Sequence, residues 1–250
     1  MTKTSTTDFL PTFVVEESRF WQSGESGIDA LNRCRSKQHF KQYPKQVYYR
    51  HNSRGFRDLE WPDQVNQAIW CVGDSFTVGL GTPFEHTWPQ VLKHRSGSNV
   101  INISMDGASN TWISRKSCSI ITEVNPPLIV IMWSYFHRRE MGIEFGTDIQ
   151  RRRWSDERAT DEDNVKDFML CLQKVVDTAK PTNTKLIHFL IPKASPAKDL
   201  ALENVENFLG EVPQLDWARD HHHFDLLTSQ AVCDQILSKM STWPDLVRGL

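Results

Sequence analysis

The feature that most constrains the fold of this chain is an apolar run that stops at a turn. Residues 68–72 read Ala-Ile-Trp-Cys-Val, and Gly73, Asp74 and Ser75 follow directly. Short apolar runs bounded by turn residues are typical of strands that are buried on both faces. We therefore predict that Ser75 lies at the carboxyl end of a buried strand, where open α/β sheets hold their ligand crevices.

Strand and helix patterns alternate along the rest of the chain. Strand-like runs occupy residues 99–104, 126–132 and 185–192, and helical patterns occupy residues 87–92, 110–124, 164–179, 200–209 and 227–238. This alternation favours a mostly parallel, doubly wound sheet whose crossover connections are right-handed. The predicted fold class is therefore α/β.

Bulk composition narrows the classes of partner. The chain has 250 residues, 39% of them hydrophobic, which is enough to bury a sizeable core, and its net charge is -2. So small a charge creates no long-range field that would recruit nucleic acid or an anionic membrane, so we expect a small or neutral ligand. No secretory signal or membrane-spanning run is visible, which predicts a cytoplasmic protein, and nothing in the sequence indicates an oligomeric state.

The spacing of the cysteines does not indicate a disulfide framework, and the spacing of the histidines does not indicate a metal site. The five cysteines are an odd number without any Cys-x-x-Cys pair, which favours buried, reduced thiols. Three consecutive histidines, residues 221–223, could bind a divalent metal or form a polar loop before a helix, but adjacent histidines do not readily converge on one ion. His188 lies inside an apolar run and is more typical of a core histidine than of a ligand. We expect no metal and no cofactor.

Two segments stand apart from the alternating pattern. Residues 1–60 are predicted to form an N-terminal arm that packs on the main domain, residues 61–250, with one short helix near residues 27–35. Residues 134–163 read as an irregular, charged insertion, which is either a lid or binding loop or a solvated insertion without a specific role. Its basic triplet, residues 151–153, could meet an anionic group, although such a triplet is more often a solvated surface.

The serine turn, a segment before it and two elements after it resemble those of the SGNH or GDSL hydrolases, in a bacterial or phage variety. The residues that carry the resemblance are Gly73-Asp74-Ser75 with Thr77, Gly79 and Gly81 behind them, the lead-in Asn52 with Gly55-Phe56-Arg57, Gly107 after the second strand, and Asp220-x-x-His223 before the last helix. The resemblance covers about residues 52–240. It implies a flavodoxin-like three-layer α/β/α sandwich with a sheet of about five strands.

The resemblance also implies a set of catalytic roles. Ser75 would be the nucleophile, His223 its general base and Asp220 the carboxylate that orients the imidazole. The backbone N–H groups of Ser75 and Gly107 would bind the oxyanion, while Asp74 would brace the turn. Taken alone, an Asp-x-x-His spacing also occurs in polar loops that have no catalytic role. A glycine after a strand is likewise often needed only because the turn there has a backbone conformation that favours glycine.

The third block of the family is altered in this chain. Where the family has Gly-x-Asn-Asp, the aligned positions hold Ser134 and Phe136, and a phenylalanine cannot donate the hydrogen bond that the asparagine supplies. The nearest candidate substitutes are Asn110, Ser134 and His137. Losing one oxyanion donor costs on the order of 100- to 1000-fold in rate, so the change bears on activity more than on fold.

Two functions remain open at this point. The first is a serine esterase or acyl hydrolase that cleaves a carboxylic ester, including an O-acetyl group on a carbohydrate, through a Ser-His-Asp triad. The alternative is a catalytically weak or inactive module of the same fold that binds carbohydrate or belongs to a virion. In both cases the expected partner is a small-molecule or carbohydrate ester rather than nucleic acid.

Overall fold

A computed structural model describes residues 47, 49–140, 154–155, 159–194, 202 and 205–249. Most of the predicted N-terminal arm, including its helix near residues 27–35, lies outside these residues. The same holds for residues 141–153 and 156–158 of the predicted insertion.

One parallel sheet of five strands forms the centre of the molecule. Its members are β1 (Ile69–Gly73), β2 (Val100–Ser104), β3 (Leu128–Trp133), β6 (Lys185–Leu190) and β7 (Phe208–Glu211), and two short antiparallel strands, β4 (Arg138–Arg139) and β5 (Trp154–Ser155), lie apart from it. The order across the sheet is β2-β1-β3-β6-β7. All four strand pairs of this sheet are parallel, as the alternating pattern predicts.

Helices connect these strands and cover the sheet. They are α1 (Ser75–Val78), α2 (Trp88–Ser96), α3 (Asn110–Glu123), α4 (Asp161–Ala179), α5 (Leu226–Ser241) and α6 (Pro244–Gly249). Helix α2 packs against α5, and α3 packs against α4. Because the chain steps from β1 outward to β2 and then back across β1 to β3, right-handed crossovers put these pairs on opposite faces. The predicted flavodoxin-like three-layer α/β/α sandwich is confirmed.

Burial follows from the composition of the strands. Every residue of β1, β2 and β3 is buried, because these strands lie between two helical layers. β1 and β3 carry continuous apolar runs, whereas in β2 the Ser104 hydroxyl donates a hydrogen bond to Asn102 Oδ1. Four tryptophans, Trp70, Trp88, Trp112 and Trp133, are fully buried in the same core. None of the described helices is both long enough and apolar enough to cross a bilayer.

The fifth strand lies where the sequence predicts a helix. In the described part of residues 200–209, the chain turns at Val205 and then enters β7, which pairs with β6 at the edge of the sheet. Phe208 and Leu209 pack only partly against the core. Their short apolar run fits a helical stripe as well as a half-exposed edge strand, and the pairing to β6 decides between them.

Candidate active site

The nucleophile turn begins where β1 ends. Asp74 caps the short helix α1, because its Oδ1 accepts a hydrogen bond from the Phe76 N–H at 3.0 Å. Ser75 is the first residue of that helix and is only 2% exposed. The turn thus holds the Ser75 hydroxyl at the carboxyl edge of the sheet, between the ends of the neighbouring strands.

The structure brings Ser75, His223 and Asp220 together although they are far apart in sequence. His223 Nε2 lies 2.8 Å from Ser75 Oγ, and His223 Nδ1 lies 2.5 Å from Asp220 Oδ2. Asp220 Oδ1 also accepts the backbone N–H groups of residues 222 and 223, each at 3.0 Å. The imidazole is therefore fixed at both nitrogens, in the order serine, histidine, aspartate.

The loop that carries Asp220 and His223 is closed on itself and docked on the segment after α1. The Ala218 N–H donates to the His223 carbonyl at 2.8 Å, and the Arg219 N–H donates to the Gly81 carbonyl at 2.9 Å. Gly81 has a φ of 75°, and a Cβ added there would come within 2.8 Å of the Asp220 carboxyl carbon. Only glycine fits this contact, and it brings the two loops close enough for His223 to reach Ser75.

The electrostatics of the pair favour a charged Asp220 beside His223. Burial alone would raise the pKa of Asp220, but the imidazole and the two backbone N–H donors bring this pKa below its ordinary value. Burial likewise opposes the charged form of His223, yet the Asp220 carboxylate outweighs it and raises the pKa of His223. The carboxylate thus stabilises the imidazolium that forms when the histidine takes a proton.

The lead-in before β1 clamps the far end of the nucleophile helix. The guanidinium of Arg57, which is 2% exposed, donates to the carbonyls of Val78, at 3.0 Å, Gly79 and Thr82, at 2.8 Å. The ring of Tyr49 lies 4.4 Å from the centre of that guanidinium. The Asn-to-Arg element of the lead-in therefore holds the serine turn in place, a role that a surface turn would not have.

Aromatic rings line the site beside the histidine. Phe76 lies 4.6 Å from the His223 ring, 5.4 Å from Phe224 and 6.4 Å from Tyr135, measured between centroids. These rings shield the Ser75 to His223 hydrogen bond from water on one side, which strengthens electrostatic interactions within the site.

Gly107 lies in the turn after β2, as the sequence predicts. The Ala108 N–H donates to the Met105 carbonyl at 3.1 Å and closes the turn, and Gly107 adopts a φ of 71° within it. This left-handed conformation is one that glycine adopts at little cost. The turn also follows directly on β2, whose last residue, Ser104, is in register with Gly73 of β1.

Asn110 and Ser134, the other predicted oxyanion residues, bind each other. The Asn110 amide donates to the Ser134 carbonyl at 3.2 Å and accepts the Ser134 N–H at 2.8 Å. The Ser134 hydroxyl donates to Asp74 Oδ2 at 2.7 Å. Both residues therefore brace the loops around the serine turn, through bonds to each other and to Asp74.

The altered third block places its phenylalanine in the core. Phe136 is 2% exposed and stacks on Phe168 at 4.1 Å, so it packs against helix α4. His137, the remaining candidate donor, is exposed and stacks on Tyr135 at 5.5 Å. Neither side chain makes a hydrogen bond to Ser75, Asp220 or His223 among the described residues.

Sequence reasoning missed one charged group in this block. Arg138 Nη1 lies 2.7 Å from Asp74 Oδ2, 2.8 Å from the Ser134 hydroxyl and 3.5 Å from the Ala108 carbonyl. A basic residue two positions after the missing asparagine was a visible signal, but only the fold shows that it reaches back to the serine turn.

The three consecutive histidines take different roles. The His221 ring contacts Trp217 at a tilt, with the centroids 4.9 Å apart, His222 is exposed, and only His223 joins Ser75. Within the described ranges, no group of three or more His, Cys, Asp and Glu side chains is arranged to hold a metal ion. Of the four described cysteines, Cys71 and Cys233 are buried, Cys118 and Cys171 are half-buried, and all four are free thiols.

Comparison with known proteins gives the following similarities. No protein-family model and no curated protein sequence matches the chain. Among solved structures, TesA aligns at 16% identity and a TM-score of 0.42, over 74% of this chain and all of TesA. The psychrotrophic esterase EstA from Pseudoalteromonas sp. aligns at 16% identity and a TM-score of 0.45, over 72% of this chain and 99% of that one.

A third similar structure is a family two carbohydrate esterase from Clostridium thermocellum, in complex with cellohexaose. It aligns at 13% identity and a TM-score of 0.47, over 72% of this chain and 65% of the esterase. Similarities of this size do not carry function from one chain to another. An activity can therefore be inferred only from the geometry of this chain's own residues.

Proposed function

We propose that this protein is a serine ester hydrolase of the SGNH type that cleaves a carboxylic ester. The observation that supports this most strongly is the position of His223, whose Nε2 is 2.8 Å from Ser75 Oγ while its Nδ1 holds Asp220. A serine hydroxyl in contact with an oriented imidazole is the arrangement that activates a nucleophile for acyl transfer. The motifs of the sequence resemblance point to the same residues.

In the acylation step, Ser75 Oγ attacks the ester carbonyl carbon and its proton moves to His223 Nε2. The carbonyl π electrons move onto oxygen, and the backbone N–H groups of Ser75 and Gly107 stabilise the resulting oxyanion. When the tetrahedral intermediate collapses, the bond to the alkoxy group breaks and the imidazolium returns its proton to that oxygen. The alcohol leaves, and the acyl group stays on Ser75.

In the deacylation step, water takes the place of Ser75 as the nucleophile, and Ser75 Oγ becomes the leaving group. His223 takes a proton from water as the water oxygen attacks the acyl carbon, and it then protonates Ser75 Oγ as the acyl bond breaks. The carboxylic acid is released and the hydroxyl of Ser75 is restored. Asp220 remains ionised throughout and stabilises the imidazolium. No step requires a metal or an organic cofactor.

The proposed substrate is a small-molecule or carbohydrate ester, including an O-acetylated sugar. The partly exposed ring of Tyr135, which packs edge-on against the buried Phe76 next to Ser75, would provide an apolar surface for a short acyl chain or the face of a sugar ring.

Hydrolysis of p-nitrophenyl acetate tests this proposal. Purified wild type is compared with Ser75→Ala and His223→Ala, and His222→Ala serves as the matched control because it removes the neighbouring, exposed imidazole. We expect both triad variants to lose on the order of 10⁶-fold in kcat, down to the background rate. A fluorophosphonate should label wild type covalently at Ser75 and leave Ser75→Ala unlabelled.

Equal background rates in wild type and both triad variants, together with no labelling at Ser75, would overturn the hydrolase proposal. That result would favour the alternative function, an inactive module of the same fold. Binding of O-acetylated oligosaccharides by the wild type would then be the next measurement.

A further inference from the structure

The altered third block leaves the oxyanion site without the asparagine donor of the family, but an arginine follows two positions later. Arg138 Nη1 contacts Asp74, the residue before Ser75, and lies 3.5 Å from the carbonyl of Ala108, the residue after Gly107. The guanidinium thus touches the neighbours of both residues whose N–H groups are assigned to the oxyanion.

The positive charge of Arg138 also neutralises a carboxylate beside Ser75. Asp74 is fully buried and adjoins Ser75, so an unpaired carboxylate there would oppose the negative charge of a tetrahedral intermediate. The guanidinium neutralises it through a 2.7 Å ion pair. Its remaining N–H groups can serve other acceptors, because a guanidinium carries five N–H donors in a fixed fork.

Arg138 is held before any substrate arrives. Its backbone pairs with Ser155 in the β4–β5 ribbon, its guanidinium lies 4.9 Å from the Tyr135 ring, and its side chain is 15% exposed. A cation that is fixed and largely removed from water stabilises a developing charge without reorganising during the reaction.

We propose that Arg138 supplies the second side-chain donor of the oxyanion hole, in place of the missing asparagine. This inference rests on the proposed esterase function. The other candidates are less well placed: Asn110 and Ser134 are used in bonds to each other and to Asp74, and His137 is exposed.

The test compares Arg138→Ala and Arg138→Lys with Arg139→Ala. Arg139 is a matched control because it is the adjacent arginine, yet it binds the Phe136 carbonyl, Asn164 and Asp167 on the side of helix α4. For each protein, kcat and KM are measured with p-nitrophenyl acetate, and the inhibition constant is measured for phenylboronic acid. The boronate forms a negatively charged tetrahedral adduct with an activated serine.

We expect Arg138→Ala to lower kcat by about 100- to 1000-fold with little change in KM, and to weaken boronate inhibition by a similar factor. Arg138→Lys keeps the charge beside Asp74 but loses the fork, so it should keep the melting temperature of wild type and show an intermediate loss of kcat. Arg139→Ala should keep the kcat and the boronate affinity of wild type.

Two results would overturn the inference. One is a boronate inhibition constant that is unchanged in Arg138→Ala or Arg138→Lys, and the other is an equal loss of kcat in Arg139→Ala, which would indicate a structural role of the ribbon. Failure of the esterase proposal itself looks different, because wild type would then share the background rate of Ser75→Ala.

Discussion

Two buried histidines in this protein have opposite environments. His188 lies in β6, is fully buried, and accepts a hydrogen bond from Trp133 Nε1 on its Nδ1 at 3.2 Å, while its Nε2 has no hydrogen-bond partner among the described residues. His223 is 6% exposed and lies between Ser75 and Asp220. Burial lowers the pKa of His188 to about 4, whereas the Asp220 carboxylate raises the pKa of His223.

This contrast shows that burial alone does not decide the protonation of a histidine. Burial disfavours the charged form in both residues, and only the one with a carboxylate within hydrogen-bond distance overcomes it. His188 is therefore a neutral core residue, and His223 is prepared to carry a proton. Four predictions test the comparison, in order of decreasing effect.

Replacing each histidine in turn gives the largest difference. His223→Ala should lower kcat on p-nitrophenyl acetate by on the order of 10⁶-fold, because no base remains to take the Ser75 proton. His188→Leu should keep the wild-type kcat, since it lies in the core strand β6. An equal loss of kcat in the two folded variants would remove the distinction between them.

Removing the carboxylate should make His223 behave more like His188. Asp220→Asn should lower kcat by about 10⁴-fold, because the amide no longer stabilises the imidazolium or fixes the tautomer. The acid limb of the pH profile of kcat/KM should lie above pH 6.5 in wild type, because the pKa of His223 is raised, and the hydrolysis rate should rise as the histidine deprotonates.

In Asp220→Asn the same limb should move to lower pH, because the interaction that raises the pKa of His223 is gone. Profiles of kcat/KM between pH 4.5 and 9 for both proteins measure this shift. An unchanged limb would mean that another group controls the pKa of His223.

His188 should make the protein less stable in acid. Its pKa is about 6.5 when unfolded and about 4 when folded, so between these values the unfolded chain binds a proton that the folded chain does not. The stability that His188 contributes is therefore complete above pH 6.5 and is lost as the pH falls towards 4, by about 3 kcal/mol in total.

Urea unfolding at pH 7 and at pH 4.5 measures this loss. Between these two pH values His188→Leu should show a decrease in the free energy of unfolding that is about 2 kcal/mol smaller than that of wild type, since the remainder of the loss falls below pH 4.5. Equal decreases in the two proteins would show that His188 titrates in the folded state as it does when unfolded.

The smallest effect is expected at the exposed neighbour of His223. The His222 ring contacts the His223 ring edge-on at 4.7 Å but contributes no hydrogen bond to the triad. An aromatic contact of this kind is worth about 0.5–1.5 kcal/mol, so His222→Ala should change kcat/KM by no more than about tenfold. Steady-state kinetics at pH 8 would reveal a larger role.

The buried strands of the sheet could be predicted because their pattern is unambiguous. Continuous apolar runs in β1 and β3 allow no amphipathic alternative, and β2 and β6 keep most of this pattern, with Asn102 and His188 as single polar residues between apolar ones. The edge strand β7 could not be predicted. It is short and half-buried, and its conformation depends on pairing with a strand that lies earlier in the chain.

In the candidate site, too, residues in local motifs could be predicted and residues that act through long-range contacts could not. Ser75, Asp220 and His223 could be found because each belongs to a motif of fixed spacing, and the structure brings them together. Arg138 and Arg57 could not be assigned, because their partners lie 64 and 21 to 25 residues away and neither pairing follows a spacing rule. Asn110 and Ser134, which the sequence offered only as candidate oxyanion donors, bind each other and join two loops.

The clamp formed by Arg57 has a consequence for how the gene could be shortened. A fragment that starts at residue 61 would retain all five strands and the three triad side chains, yet it would leave the carbonyls of Val78, Gly79 and Thr82 without their guanidinium. A minimal expression unit should therefore begin upstream of Tyr49, whose hydroxyl also receives the Gly81 N–H.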